Sequence, residues 1–337
     1  MNARVAAILV VLLVVLGGAA LLFQREESAR RPQNVGTLGQ PLFKHLQAAD
    51  IAQIRIVEPK AALTLQRKED GWVIAERGGF PADIGKVREF VLKVIGLKIG
   101  QSEPAGEQDR ARLNLDASGT QVEFDGADGK TLGLLIVGKK YFRREVDNPD
   151  RAAADGRFVG LPGEARLVYI VSDPLVQASA RSADWIDRAS FRVEKVKALE
   201  VRYPAGGGWR IERGGENAPW KLADAKPGEQ VDSSRANAAT YSLSLLELAD
   251  VAPRDASDTG LDAPTLINAT TLDGRSYAIR VGKAAREDYY VAFRASGEPK
   301  PREKMLSDHV LLVPKSKLAD TLKKRSELLE KKEDRKR

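Results

Sequence analysis

The sequence predicts an α+β protein: an N-terminal transmembrane helix followed by two tandem repeats of mainly antiparallel sheet, with one packed helix each. Three observations support this class. A long apolar run lies near the N-terminus, the same landmarks occur twice at a nearly constant spacing, and each copy reads as strands, helix, hairpin and strand. The alternative, a doubly wound parallel sheet, would require regular alternation of strands and helices.

The first element is an apolar run over residues 5–23, nineteen residues without a polar side chain. As a helix it would be about 28 Å long, close to the hydrocarbon thickness of a bilayer. We therefore predict a cytoplasmic N-terminus over 1–4, a transmembrane anchor over 5–23 and a stalk over 24–40. A cleaved signal peptide is the alternative, because Ala19 and Ala20 lie inside the run.

The predicted location is the bacterial cytoplasmic (inner) membrane, single-pass, with the N-terminus inside and the bulk of the chain periplasmic or extracellular. Arg4 favours an inside N-terminus, whereas Arg25, Arg30 and Arg31 lie on the other flank, so the positive-inside rule gives a close result. A short N-terminal tail before a large remainder is typical of a signal anchor and decides the orientation.

Paired landmarks predict an internal duplication. The pairs and their offsets are Ile51 and Val196 (145), Trp72 and Trp220 (148), Leu115 and Leu261 (146), Asp128 and Asp273 (145), Gly138 and Gly282 (144), and Val171 and Val313 (142). Their order is kept, and loop insertions explain the drift. The predicted repeats span 41–182 and 183–322, and a basic charged C-terminal tail spans 323–337.

Each repeat begins with alternating apolar strands and continues with an amphipathic helix. In the first copy Asp83 is the predicted N-cap, and apolar residues follow it at helical spacing. In the second copy Asp232 or Ser233 is the predicted cap. Both copies therefore place one helix in the middle of the repeat.

A hairpin and a last strand complete each repeat. Asp128-Gly129 and Asp273-Gly274 predict type I′ turns, because both residue types tolerate positive φ. The last strands are predicted to lead into short helices over 173–180 and 315–322. In the tail, Leu318, Leu322 and Leu329 are predicted to form one helical stripe.

The second strands of the two hairpins differ. In the second copy Tyr277, Ile279 and Val281 alternate with polar or small residues, which predicts one buried face. The first copy is one residue longer, contains Gly133 and is apolar on both faces. We predict a β-bulge near Gly133 and burial on both sides of that strand.

Charge and composition exclude several function classes. The formal net charge is +7, of which residues 1–31 contribute +2 and residues 315–337 contribute +5. The middle of the chain has no basic excess, which argues against a nucleic-acid partner. The absence of cysteine excludes disulfides and thiolate chemistry, and two histidines are too few for a histidine-rich metal site. No cofactor or metal is expected.

The repeated polar residues are the candidates for contact with a ligand or partner, each with a structural alternative. Lys139 and Lys283 would bind an anionic glycan or lipid head group, or they mark the exposed end of a strand. Asp116 and Asp262 would act as an acid–base pair, or they form turns. Two further pairs are landmarks of the repeat: Trp72 and Trp220, expected in the core, and Gly138 and Gly282, expected where the chain turns.

Several of these segments carry a family resemblance. They are Trp220-Lys221-Leu222, Gly260-Leu261-Asp262-Ala263-Pro264, Val281-Gly282-Lys283 and Tyr289-Tyr290-Val291. With them, the chain from about 43 to 322 resembles the domain of unknown function 4340 family. The first copy is more degenerate and lacks the Gly and the Pro. The resemblance implies an envelope protein beside ABC-type export components of the kind linked to gliding motility, and it implies no established activity.

These observations favour a non-catalytic envelope binding or scaffolding protein, with the membrane and a protein of the cell envelope as partners and a role accessory to an ABC-type export or gliding-type complex. The alternative is an envelope enzyme or sensor acting on glycan or lipid through a cleft between the repeats. The first hypothesis rests on the anchor, the duplication and the lack of a recognised catalytic motif.

Overall fold

The computed structural model describes residues 38–188, 192–298 and 300–330. The predicted cytoplasmic N-terminus, the predicted anchor over 5–23, most of the predicted stalk and residues 331–337 of the predicted tail lie outside the described residues. Within the described ranges, no helix is both long and apolar enough to cross a bilayer.

The first sheet is formed by nine strands. They are β1 (Ile51–Glu58), β2 (Ala61–Lys68), β3 (Gly71–Ile74), β4 (Phe80–Pro81), β5 (Ile99–Pro104), β6 (Thr120–Gly126), β7 (Thr131–Tyr141), β8 (Gly156–Gly160) and β9 (Leu167–Val171). Their order across the sheet is β4-β3-β2-β1-β6-β7-β8-β9-β5.

The second sheet is formed by eight strands. They are β10 (Val196–Arg202), β11 (Gly208–Glu212), β12 (Lys221–Leu222), β13 (Asp250–Val251), β14 (Thr265–Thr271), β15 (Ser276–Ala285), β16 (Asp288–Ala295) and β17 (Leu311–Pro314). Their order is β12-β11-β10-β14-β15-β16-β17-β13. Neighbouring strands in this sheet are antiparallel.

Short helices connect the strands. They are α1 (Ile84–Ile95), α2 (Glu107–Arg112), α3 (Ser182–Trp185), α4 (Ser233–Tyr241), α5 (Pro301–Ser307), α6 (Lys315–Leu318) and α7 (Arg325–Leu328). The prediction of an α+β protein with mainly antiparallel sheets is therefore confirmed, and strands outweigh helices.

The two sheets follow the same sequence of strands. The two strand orders agree when each strand of the first sheet is matched to its counterpart in the second, and β4 is the additional strand of the first sheet. The matched strands are β1 with β10, β2 with β11, β3 with β12, β5 with β13 and β6–β9 with β14–β17. This agreement is what a duplicated unit requires. The duplication itself remains a prediction from the sequence.

Two compact units divide the chain. Among the described residues, unit 1 combines 38–62 with Arg88–Ala180, and unit 2 combines Leu63–Val87 with the described residues between 181 and 330. The units follow contacts in space, whereas the predicted repeats follow similarity in sequence.

Unit 2 is discontinuous, and side chains join its two stretches. Ile74 and Phe80 have no exposed surface. Arg77 forms a salt bridge of 3.2 Å with Asp250, whose carboxylate also accepts a hydrogen bond of 2.6 Å from the Ser182 hydroxyl. Since Ser182 and most of the Arg77–Asp250 pair are shielded from solvent, Leu63–Val87 contributes buried side chains to unit 2.

The two central helices begin as predicted. The Asp83 carboxylate accepts hydrogen bonds from the backbone N–H groups of Gly85 and Lys86, and the Asp232 carboxylate accepts them from Ser234 and Arg235. Asp232 is therefore the cap of α4. The apolar stripe of α1 is buried, and its Phe90 stacks on Phe124 at a centroid distance of 6.2 Å.

The predicted hairpins are present, but their turns are not type I′. Gly129 and Gly274 have φ of 75° and 84°, whereas neither Asp128 nor Asp273 has positive φ. In each turn the glycine N–H donates to the carbonyl three residues earlier at 3.0 Å. This is a type I turn followed by a left-handed glycine. The Asp side chain favours it by accepting a hydrogen bond from the backbone two residues later, as Asp128 does from Lys130 at 3.1 Å.

The predicted difference between β7 and β15 is confirmed. Phe124 pairs with Gly133 and Asp125 with Thr131, so Leu132 is the extra residue of a bulge. Four consecutive residues of β7, from 135 to 138, are buried, which requires burial on both faces. In β15, buried and exposed residues alternate from Ser276 to Val281.

Two helical predictions are wrong. Residues 173–180 form turns, because Leu175 has φ of 47° and donates its N–H to the Asp173 carboxylate at 2.7 Å, a geometry that a helix excludes. Within residues 315–330 the chain is helical only in α6 and again in α7, so the predicted helix over 315–322 is too long, and Leu318, Leu322 and Leu329 do not lie on one continuous helix.

Residues 315–330, which include the described part of the predicted tail, pack onto the rest of unit 2 instead. Leu318, Thr321 and Leu328 have no exposed surface. The Thr321 hydroxyl donates to the Ala239 carbonyl at 2.7 Å, and the Asp232 N–H donates to the Leu328 carbonyl at 2.9 Å. Residues 315–330 therefore close the core beside α4.

Candidate functional site

Positions 138 and 282 require glycine because a carbonyl group of another backbone segment lies against each of them. A Cβ at Gly138 would lie 2.4 Å from the Leu113 carbonyl oxygen, and one at Gly282 would lie 2.2 Å from that of Thr259. The same carbonyls accept the N–H groups of the following lysines, at 2.9 and 2.8 Å. In each copy the Val-Gly-Lys element therefore holds an earlier turn of the chain, at residues 113–116 or 259–262, against its own strand.

That turn has equivalent geometry in both copies. Asn114 has φ of 57° and Gly260, its counterpart before Leu-Asp, has φ of 70°. Asn is one of the few residues with a side chain that tolerates the left-handed region. The first copy, which lacks the Gly of the sequence motif, thus keeps its backbone conformation through Asn114.

The two candidate lysines lie at these strand ends, and both are exposed. The ammonium group of Lys283 pairs with the Asp258 carboxylate, which raises the pKa of Lys283. The stem of Lys283 lies over Gly260, since a Cβ there would meet its Cγ at 2.5 Å. Lys283 therefore covers its own turn and is already paired.

The candidate carboxylates Asp116 and Asp262 are both exposed and lie in turns, one in each unit. Asp116 accepts hydrogen bonds from the hydroxyl and the N–H of Ser118, at 2.5 and 2.9 Å, and these hold its pKa below the usual range. A carboxylate with a lowered pKa in its own turn is poorly suited to proton transfer near neutral pH.

The two tryptophan landmarks differ in burial. Trp220 is 6 % exposed, and its indole N–H donates to Asn237 at 2.8 Å. Trp72 is only partly buried and lines a cleft of about 320 Å³ together with Asp70 and Asp83. Asp83 is occupied as a helix cap, so this cleft offers few unpaired groups to a ligand.

The described residues contain no group of three or more His, Asp or Glu side chains placed to hold a metal ion. Neither the lysines nor the carboxylates singled out in the sequence converge on a pocket. The cavity with the most pronounced chemistry lies elsewhere, on the outer face of the second sheet.

This cavity, which we call the basin, has a volume of about 660 Å³. The residues that line it include Lys197, Ala198, Arg210, Glu212, Arg213 and Lys221. Strand register creates it. Ala198 pairs with Glu212 on one side and with Thr270 on the other.

The basin is open because its floor is made of small side chains. The neighbours Leu199 and Ile211 are fully buried, so Ala198 and Glu212 face outward by strand alternation. Ala198 and Thr270, on β10 and β14, are short and leave a depression beside the longer side chains of β11 and β12. The loop after β11, at Ala218 and Pro219, forms the wall.

Arg213 is the most firmly positioned cation of the basin. Its guanidinium lies 4.6 Å from the centroid of the Trp220 ring, and its Nε donates to the Val196 carbonyl at 2.8 Å. A second nitrogen donates to the Glu216 carbonyl. Stacking and hydrogen bonds together fix the orientation of this charge.

The remaining cations are more accessible. Arg210 lies 3.6 Å from the Glu212 carboxylate, a contact between two half-exposed side chains. Lys197 and Lys221 are exposed, and no described carboxylate forms a salt bridge with either. With four cationic side chains and one carboxylate, the lining of the basin carries an excess of positive charge.

The sequence motifs identified only part of this site. Lys221 stands inside the motif Trp220-Lys221-Leu222, but its neighbours across the sheet were not recognised. The signal was present in the alternation of GWRIE, which places Arg210 and Glu212 on the polar face of β11. Simple alternation would have placed Lys197 on the face of the buried Leu199, and the register shift between Val196 and Ala198 was not visible in the sequence. Only the register shows that these residues surround one depression.

A comparison with models of protein families identified a family that matches this chain. The model of a family described as "Domain of unknown function (DUF4340)" matches residues 72–264, more than half of the 337 residues. Neither the curated proteins nor the solved structures returned a match. This match over more than half of the chain shows that the chain belongs to the DUF4340 family.

Proposed function

We propose that the protein is a non-catalytic binding protein of the cell envelope and that the basin captures an anionic ligand. The observation that carries this proposal is the basin itself, in which four cations surround a floor of small side chains. The apolar run over 5–23 supports attachment to the membrane, with the bulk of the chain on the outer side. A role beside an export or gliding-type complex is part of the proposal, on the strength of the family resemblance.

The charges favour binding over catalysis. Arg213 is held by Trp220 and by two carbonyl oxygens, so it presents a fixed positive charge without reorganisation. Lys197 and Lys221 can adjust to the ligand because both are exposed. The single carboxylate of the basin, Glu212, already contacts Arg210 and has no second acid beside it to share proton transfer.

The test is equilibrium binding of a sulfated disaccharide to the full chain in detergent, measured by isothermal titration calorimetry. Lys197→Ala and Lys221→Ala are each expected to weaken binding about fivefold, equivalent to about 1 kcal/mol, as expected for the loss of an exposed charge contact. Raising the salt concentration should weaken it further.

Lys139→Ala is the matched control, because Lys139 is an exposed lysine of unit 1. It should bind the disaccharide as tightly as the wild type. Binding that is absent, or that Lys139→Ala weakens as much as Lys221→Ala does, would refute the proposal.

The accessory role has its own measurement. Purification of the tagged full chain from native membranes, followed by mass spectrometry, should recover the same envelope proteins reproducibly. Recovery of the chain alone would contradict a stable partner.

A further inference from the structure

The basin is the first of three neighbouring depressions in unit 2 that share lining residues. A second, of about 470 Å³, shares Arg213 with it, and a third, of about 370 Å³, shares Glu194 and Lys195 with the second. All three border the segment 192–198, which leads into β10. An elongated surface therefore runs from Lys221 past Arg213 to the hairpin at Thr271.

We propose that this surface binds an anionic oligosaccharide longer than the basin alone can hold. This inference rests on the proposed function and extends it from a single anion to a chain. Cations occur in each depression: Lys221 in the first, Arg213 between the first and second, Lys195 between the second and third, and Lys300 in the third.

An exposed aromatic ring supports a sugar as the ligand. Tyr241, at the end of α4, is 64 % exposed and lines the second depression. A large aromatic ring exposed to water beside the side chains of Lys195 and Arg213 is suited to stacking on the apolar face of a sugar. The carbonyl of Tyr241 accepts a hydrogen bond of 2.7 Å from the Ser244 hydroxyl, which fixes the end of the helix that carries the ring.

Carboxylates between the cations favour a sugar over a nucleic acid. Glu212, Glu194, Glu216 and Asp273 each line one or two of the three depressions. Sugar hydroxyls would donate hydrogen bonds to these oxygens. A nucleic-acid strand carries a phosphate on every nucleotide, with no neutral sugar unit between the charges, and would bring some of the phosphates against the carboxylates.

The test compares hyaluronan-derived di-, tetra- and hexasaccharides, which carry one carboxylate in each disaccharide, on the full chain in detergent. The affinity is expected to rise about tenfold or more from the disaccharide to the hexasaccharide. Lys195→Ala and Lys300→Ala should weaken hexasaccharide binding about threefold each and leave disaccharide binding unchanged, since both lysines lie outside the basin.

The aromatic contact has a conservative control. Tyr241→Ala should weaken the hexasaccharide about fivefold, whereas Tyr241→Phe, which keeps the ring, should bind it like the wild type. Equal affinity for all three lengths would overturn the inference while leaving the proposed function intact. Tighter binding of a single-stranded DNA oligonucleotide of matched charge would also overturn it, and loss of all anion binding would refute the proposed function instead.

Discussion

Gly282→Ala is expected to destabilise unit 2 strongly, because the new methyl group would occupy the position of a backbone carbonyl. Its Cβ would lie 2.2 Å from the Thr259 oxygen and 3.2 Å from the carbonyl carbons of Thr259 and Gly260. Restoring van der Waals distance requires a displacement of about 1 Å. That displacement would lengthen the 2.8 Å hydrogen bond from the Lys283 N–H to the same oxygen.

The two costs give the expected magnitude. Overpacking of a well-packed site costs about 1–3 kcal/mol, and the weakened backbone hydrogen bond adds about 1 kcal/mol. The free energy of unfolding should therefore fall by about 2–4 kcal/mol. For a unit of this size, the midpoint of thermal unfolding should fall by about 4–16 °C.

Tryptophan fluorescence is a selective assay for this unit. The chain has four tryptophans, and Trp72, Trp185, Trp209 and Trp220 all belong to unit 2. Thermal unfolding followed by their emission therefore reports unit 2 without a contribution from unit 1. The measurement compares the full chain with and without the substitution.

Gly215→Ala provides the matched control, because a Cβ at Gly215 would meet no atom within 4 Å. It should leave the midpoint unchanged or raise it slightly, since alanine restricts the unfolded chain. If Gly282→Ala unfolds at the same temperature as Gly215→Ala, the close approach does not determine the choice of glycine and the reasoning fails.

Two further predictions concern a carboxylate and a buried hydroxyl. Ser118→Ala should raise the pKa of Asp116 towards its usual value, as measured by NMR titration of the carboxyl carbon, and an unchanged pKa would contradict the assigned cause. In the wild type the lowered pKa stabilises the folded state at pH values above the unfolded pKa, and this stabilisation is lost as the pH falls through the folded pKa. Thr321→Val should cost about 1 kcal/mol in unfolding free energy, because the Ala239 carbonyl would lose its 2.7 Å donor and keep the Ser242 hydroxyl at 3.1 Å. Thr321→Ser should retain most of that stability, and equal losses would point to packing instead.

Local signals in the sequence predicted the local structure well. The caps Asp83 and Asp232 and the hairpins at Asp128 and Asp273 were identified because each depends on a few neighbouring residues. The bulge beside Gly133 was also predictable, since an added residue and apolar character on both faces are visible in the sequence. The turn type was missed because the side chain of Asp favours a right-handed conformation that φ tolerance alone does not reveal.

Features that depend on distant residues were not predictable in the same way. The basin is assembled by the pairing of β10 with β11 and β14, and a single sequence does not fix that register. Likewise, Leu318 and Leu328 are buried on two separate short helices because α4 lies beside them, whereas the apolar spacing suggested one helix. The degenerate Asn114 was overlooked because its equivalence to Gly260 lies in a dihedral angle.

The discontinuity of unit 2 determines how the protein can be divided. A fragment that starts after residue 180 would omit the Phe80 ring, which packs edge-on against His309 at 5.3 Å, and would leave the partly buried Asp250 without Arg77. Loss of one partner from such an ion pair is strongly destabilising. A recombinant version of the anion-binding half would therefore need Leu63–Val87 fused to it through a linker, as in a circularly permuted gene, and cleavage at the midpoint of the chain would not release a folded half.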